Sequence, residues 1–386
     1  MFALETPSEY RDREQTYFKH LVLKHYLRSW SQKLSSISQR GHAVRLWYVD
    51  CFAGPWESRT QDRGDTSVAI GLSALQEALD TWAESSGRVE AGAVFVEADP
   101  TSARALRAYV DGASQGRVVP HVFDGRFEDR VADIASLIGA DAAFVFVDPT
   151  GWKGAGMANI APLVTSPFRD VMVNVMFHHI NRWKYDPRDF LRSQMREFFG
   201  LGDSDLPPDL DEEGLMALYR GQLAQWGHLD HVGDLAVPHP TIDRTFFRLV
   251  AGGHHPEVLR LFRAIEEKVV GRDAGVVREK IKARARVART GQAELDLGVA
   301  AMDVRYRRMR DRDITHAMRI VRERVTAEGP LPFRAIWPGI LADHHVTHKS
   351  LADAVRAEVT GGKLSVIGMG EKERSIKDEH VIGPPA

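Results

Sequence analysis

Leu46-Trp47-Tyr48-Val49-Asp50-Cys51-Phe52-Ala53-Gly54 is a short apolar run that ends in an acid and a turn. A near-continuous apolar run of this length reads as a parallel strand buried on both faces. The glycine after it lets backbone approach a ligand closely, because it carries no Cβ and tolerates positive φ. An acid at the strand end can meet the ammonium group of a methionine-like ligand. The same pattern repeats outward along the chain. Ala93 to Glu97, Val118 to Asp124 and Ala142 to Asp148 are further apolar runs closing on an acid. Val171 to Phe177 reads as a fifth strand and Thr245 to Val250 as a sixth. Helical stripes precede or separate them, at Tyr17–Leu34, Thr101–Val110 and Glu257–Val270. Strands alternating with helices predict an α/β fold with a doubly wound parallel sheet. Such sheets bind ligands at the carboxyl ends of their strands.

Asp50, Glu97, Asp124 and Asp148 fall at that edge. A carboxylate at the end of the second strand suits a ribose diol, since it accepts two hydroxyl hydrogens in one plane. That gives Glu97 a sugar-binding role. Asp124 is placed to accept from an adenine amino group, or else to cap the turn before Phe127. The expected cofactor loop is Asp50, Phe52, Ala53 and Gly54, with Glu97 and Asp124 beside it. Asp148-Pro149-Thr150-Gly151-Trp152 resembles the Asp-Pro-Pro-Tyr loops of amino-methyltransferases, in which acceptors hold a target amino group and an aromatic stacks on an extruded base. Asp148, Pro149 and Trp152 are therefore the candidate catalytic residues. Trp152 has a second reading as a side chain packed on the sheet.

The 386 residues are 44% hydrophobic and 27% charged, with a net charge of −2. That length predicts two or three domains. A single cysteine, Cys51, excludes a disulfide framework or a cysteine-based zinc site within this chain. No signal peptide or run of eighteen apolar residues is evident, so a cytoplasmic protein without membrane association is expected. The pairs His178-His179 and His254-His255 do not suit shared metal ligation, because adjacent side chains diverge; no metal is expected. A Gly-x-x-x-x-Gly-Lys phosphate loop is absent, which argues against nucleotide hydrolysis.

Residues 1–275 are expected to form the Rossmann-like domain, interrupted by a helical insertion at about 186–240. Two helices, Asp189–Phe199 and Glu212–Trp226, fall within that insertion. Residues 276–312 read as a basic helical connector. From Arg278 to Arg324 there are fourteen Lys/Arg and seven Asp/Glu. Arg278, Lys282, Arg286 and Arg289 share a helix face, which is either a solvated face or a phosphate-contacting surface across 278–290. Residues 313–386 read as helices followed by a β-hairpin, a winged-helix-like α+β domain. Modules of that kind bind nucleic acid or other proteins.

Together these pieces resemble the three-Cys-motif partner (TcmP) proteins of bacteria and their viruses. The carrying residues are Lys24, Tyr26-Leu27 and Trp30, then Tyr48 to Pro55, Phe95-Val96-Glu97, Phe144 to Pro149 with Gly151, and Asn181-Arg182. The resemblance runs from about Tyr17 to the tail. It implies a class I methyltransferase sheet, S-adenosylmethionine (SAM) as cofactor, and a partner with a three-cysteine motif that looks like a radical-SAM-type enzyme. With the Asp-Pro loop, it points to amino-group methylation of nucleic acid. The chain departs from the family pattern at Trp56, where a second glycine is usual, at Gly64-Asp65-Thr66, and at Thr150. Those departures motivate an alternative, a catalytically inactive scaffold that docks the three-cysteine protein.

Overall fold

The computed structural model describes residues 7–11, 13–54, 63–113, 117–239, 242, 244–290, 302–370 and 372–385, with backbone alone at 282, 284–288 and 290. The chain divides into two compact units, 1–258 and 259–386. The division lies earlier than the boundary at 275 that composition suggested.

In the first unit the apolar runs form β1 (Val44–Asp50), β2 (Val89–Glu97), β3 (Val118–Asp124), β4 (Ala142–Val147) and β5 (Arg169–Val175). They are all parallel, in the spatial order β3-β2-β1-β4-β5. Two more strands, β6 (His231–Pro238) and β7 (Thr245–Gly253), complete a seven-stranded sheet. β7 pairs antiparallel with both β5 and β6. The result is a mixed α/β unit with a mostly parallel sheet, consistent with the Rossmann-like methyltransferase sheet expected.

Side chains alternate across this sheet, as the two-residue strand period requires. Val49, Val94, Val145 and Val173 point to one face. There they meet α4 (Val131–Ile138), α5 (Met157–Val164), α7 (Asp189–Phe199) and α8 (Glu212–Gly227). Tyr48, Phe95 and Phe144 point to the other, with Tyr48 and Phe144 stacked at 6.4 Å. α1 (Glu14–Ser35) covers that face through Tyr26 and Trp30, whose rings lie 5.2 and 6.0 Å from Phe144. Tyr26 Oη also donates to Asp170 Oδ2 at 2.8 Å, fixing the helix to β5. α2 (Ser67–Thr81) packs beside α1, its N-terminus capped by Thr66. At Gly71 it passes so close to β1 that a Cβ would stand 2.2 Å from the Tyr48 ring. α3 (Pro100–Ala113) joins β2 to β3, and α6 (Phe177–Trp183) follows β5.

Three expectations change. The region 186–240 is not wholly helical, because it ends in β6. That strand carries a fully buried Asp234, held by Arg248 at 2.8 Å and by Arg220, so its apolar run is broken at mid-strand. The expected sixth strand is consequently the seventh. Phe177, expected to end β5, instead opens α6.

The second unit contains α10 (Ala274–Thr290), α11 (Val304–Glu328), β8 (Leu331–Pro332), α12 (Phe333–Asp343), α13 (His348–Thr360), β9 (Ser365–Ile367) and β10 (Val381–Gly383). The helix that crosses the division, α9 (Glu257–Glu266), runs into a π-helical turn at Glu267–Asp273. The strands form a separate sheet in the order β8-β10-β9. Trp337, Phe333, Val321 and Leu351 lie at the centre of its core.

Candidate functional site

The turn after β1 extends the sheet by alternating between its neighbours. Cys51 N donates to Phe146 O of β4 and Ala53 N to Val96 O of β2, both at 2.9 Å. Phe52 and Gly54 between and beyond them face a cleft of about 370 Å³. That volume lies in the range of sites for nucleoside-sized ligands.

Asp50 does not line this cleft. It is fully buried behind the turn, where its carboxylate accepts from Ser67 Oγ at 2.6 Å and from Tyr48 Oη and Phe52 N at 3.2 Å. Burial pushes its pKa up to about 6, with nearby Asp148 adding to the rise and the Ser67 hydrogen bond opposing it. Its place is to stiffen the loop. Burial, reinforced by Asp50, also raises the thiol of Cys51 well above its usual range.

Glu97 ends β2 and borders the cleft. Its Oε2 lies 1.7 Å from where a Cβ on Gly54 would stand. Only glycine allows that carboxylate to lie over the loop. Glu97 Oε1 accepts from Asp99 N at 2.7 Å, and Asp99 in turn caps α3 by accepting from Ser102 N. Asp124 pairs in register with Glu97. Its carboxylate is exposed and bound to Arg107 at 2.9 Å, outside the cleft lining. Gly125, Arg126, Phe127 and Glu128 form that wall instead, with Phe127 5.5 Å from Phe52. Gly125, at φ +118°, makes the sharp turn that aims them inward.

Asp148 borders the far end of the cleft, with Thr150 and Lys153. Its Oδ2 accepts from Lys19 Nζ at 2.5 Å and its Oδ1 from Asn174 Nδ2 at 2.6 Å. Pro149 is buried. Trp152 is half-buried against the valine face of the sheet, and its Nε1 donates to Gln194 at 3.0 Å. This is the packed position, the second of the two readings of Trp152. A neighbouring hollow of about 420 Å³, bordered by Phe190 and Gln194, shares Glu128 and Lys153 with the cleft.

Neither Lys19 nor Asn174 was singled out from the sequence. Asn174 has a detectable signal, a polar residue within Val171-Met172-Val173-Asn174-Val175. Lys19 has none, since it is one of several basic residues on α1. Trp56 lies outside the described residues. Among the described residues no cluster of His, Cys, Asp and Glu could hold a metal, and no helix is long and apolar enough to cross a membrane.

In the second unit, Arg278 of α10 is buried and pairs with Asp303 at 2.9 Å. Its burial fits neither reading of that face, solvated or phosphate-contacting. Arg289 is exposed, whereas the side chains of Lys282 and Arg286 lie outside the described set.

The cleft's chemistry can be tested against candidate cofactors. Glu97, Asp99, Glu128 and Asp148 line it against two cations, Arg126 and Lys153. An acid-rich wall disfavours a pyrophosphate and favours a ligand bearing positive charge. A carboxylate over the glycine loop suits a diol, and two phenylalanines suit a flat heterocycle. The residues present thus fit SAM better than a dinucleotide.

No family model matches the chain, and no curated protein matches it. Among solved structures it is similar to an O-methyltransferase from Bacillus cereus solved with S-adenosylhomocysteine, at 16% identity over 58% of this chain and 80% of that one, with a TM-score of 0.28. It is also similar to the O-methyltransferase TomG from Streptomyces achromogenes, solved with SAM, at 17% identity over 58% and 79%, TM-score 0.28. A protein of Porphyromonas gingivalis W83 with a provisional methyltransferase assignment matches at 14% identity over 58% of this chain and 41% of its own length, TM-score 0.26. The strand order, rather than these overlays, carries the fold assignment.

Proposed function

We propose that the first unit is a SAM-dependent methyltransferase acting on an amino group, with nucleic acid as the substrate class. The observation that carries this reading is the Glu97 carboxylate laid over Gly54 in an acid-lined cleft that ends at Asp148. Bound there, SAM would supply an electrophilic methyl group on a sulfonium. Glu97 would take the ribose hydroxyls, and Phe52 and Phe127 would flank the base. Asp148 would accept an N–H of the incoming amine and so aim its lone pair. Asn174 and Lys19 hold the Asp148 carboxylate in one orientation. Methyl transfer needs mainly such alignment. In the second unit, a helix, a short strand, two helices and two strands follow in order, which supports the winged-helix reading and a second nucleic-acid contact.

Calorimetry with SAM, and with NAD as comparator, tests the cofactor. Heat with SAM alone is expected, and silence at millimolar SAM overturns the reading. Asp148→Ala should keep SAM binding and lose transfer to a nucleic-acid acceptor.

One observation favours a second reading, in which the chain is a scaffold for a three-cysteine-motif partner. The Lys19 ammonium sits on Asp148 where an acceptor amine would hydrogen-bond. If Asp148→Ala leaves cellular function and capture of that partner intact, the scaffold reading replaces the first.

A further inference from the structure

The carboxyl edge of the sheet carries a surface that the cofactor cleft does not use. Contacts lead to it directly from Asp148. Lys19, bound to Asp148, also lies 5.8 Å from the ring of Phe247. The Phe247 ring lies 5.7 Å from Phe246, and Phe246 is stacked on His178 at 6.4 Å with 22° between the planes. From the other side, Asn174 bonds both Asp148 and Met176 Sδ, and α6 begins at the next residue, Phe177.

α6 exposes His178, His179 and Arg182, and Arg244 is exposed just before β7. Among the described residues neither Arg182 nor Arg244 meets a carboxylate. Arg182 lies over the Trp183 ring at 4.9 Å. The acid nearest Arg182 in sequence, Asp186, is taken by Arg188 in a two-point pair, and Asp243, next to Arg244, lies outside the described residues. His178 is held below its ordinary pKa, by desolvation and then by the charges of Arg244, His179 and Arg182. The cluster is electropositive and carries aromatic faces, whereas the cleft beyond Asp148 is acidic. An occupant must therefore be anionic along its length yet offer flat rings. A phosphodiester strand with unstacked bases meets both demands, and a duplex or an acidic peptide meets only the first.

We propose that His178, His179, Arg182, Arg244 and Phe246 bind single-stranded nucleic acid, with phosphates on the cations and a base on the His178–Phe246 stack. The strand would thereby present its neighbouring base to Asp148, a step that rests on the methyltransferase reading. The binding itself does not depend on it.

Fluorescence anisotropy with labelled twelve-nucleotide RNA and DNA strands tests the proposal on the full chain, at 50 and 200 mM salt. Binding of either strand is expected, and the preferred sugar identifies the source. Arg182→Glu/Arg244→Glu should weaken it at least about tenfold and lower the salt slope by about 1.4, the value for two phosphate contacts on a single strand. His178→Ala should weaken it about tenfold without altering that slope. Both variants should titrate with SAM as the wild type does. The proposal falls if the wild type ignores single strands, if a duplex or a poly-glutamate peptide binds as tightly, or if the charge-reversal variant binds unchanged. SAM binding without strand binding would sink this proposal alone. Strand binding lost in the variants, with no SAM binding at all, would sink the methyltransferase reading alone.

Discussion

At Gly54 the requirement for glycine comes from a neighbour rather than from backbone strain. The Glu97 carboxylate occupies the space of a Cβ, so Gly54→Ala must displace the end of that side chain, which under the proposed function takes the ribose hydroxyls. Losing a hydrogen bond to a charged group costs about 1.5–3 kcal/mol, or roughly 10- to 150-fold in SAM affinity. Calorimetry should show that loss, and Gly54→Ala/Glu97→Ala should bind no worse than Glu97→Ala alone. Additive losses would mean that Gly54 acts otherwise. The place of Gly54 and Glu97 at the cleft was legible in the sequence, because strand ends mark the ligand edge of a doubly wound sheet. The direction of Asp50 was not. A run ending in acid does not reveal that Ser67, seventeen residues on in the chain, reaches back to bind it. The pairing of Asp124 was hidden for a similar reason, since its partner Arg107 comes from α3.

α1 is fixed to β5 by a pair whose chemistry depends on pH. Asp170 is half-buried, and desolvation pushes its pKa up to about 7, against the pull of the Tyr26 hydrogen bond and the Lys33 charge. A carboxyl raised above its unfolded value of 3.8 favours the fold fully below that value. It loses the contribution as pH climbs through about 7. Asp170→Asn keeps an acceptor for Tyr26 and removes the titration. Its melting temperature relative to wild type should therefore rise between pH 5 and pH 8. A difference that stays flat across that range would show that the carboxyl titrates normally. The parallel strands and α7 were readable because apolar residues dominate each run, even where a single polar residue such as His121 or Asn174 interrupts it. β6 was not, because Gly233 and Asp234 break its pattern and the compensating Arg220 and Arg248 come from other elements. A buried ion pair satisfies a strand interior in three dimensions while erasing its signature in one.

Each unit has its own buried core, the first with the valine face of the large sheet at one side and the Tyr48–Phe95–Phe144 face at the other, the second around Trp337. Their boundary was placed too late in the sequence because basic composition changes only after Gly271, whereas α9 carries one amphipathic pattern across the division. Ligand binding stabilises only the structure that holds the ligand, by about 2.7 kcal/mol at a hundred times the dissociation constant. Saturating SAM should therefore slow amide exchange at 51–54, 97–99 and 125–128 and leave the strands at 365–367 and 381–383 unchanged. Uniform protection would contradict a cofactor site confined to the first unit. One further property follows from Cys51. It is the sole cysteine of the chain, buried to 1% exposure and with its thiol held protonated. Native protein is thus nearly silent to maleimides, and no thiol needs to be engineered away. A fluorophore carried by Phe190→Cys, an exposed position on the hollow that adjoins the cleft at Glu128 and Lys153, would act as a single-site reporter of occupancy in otherwise unaltered protein.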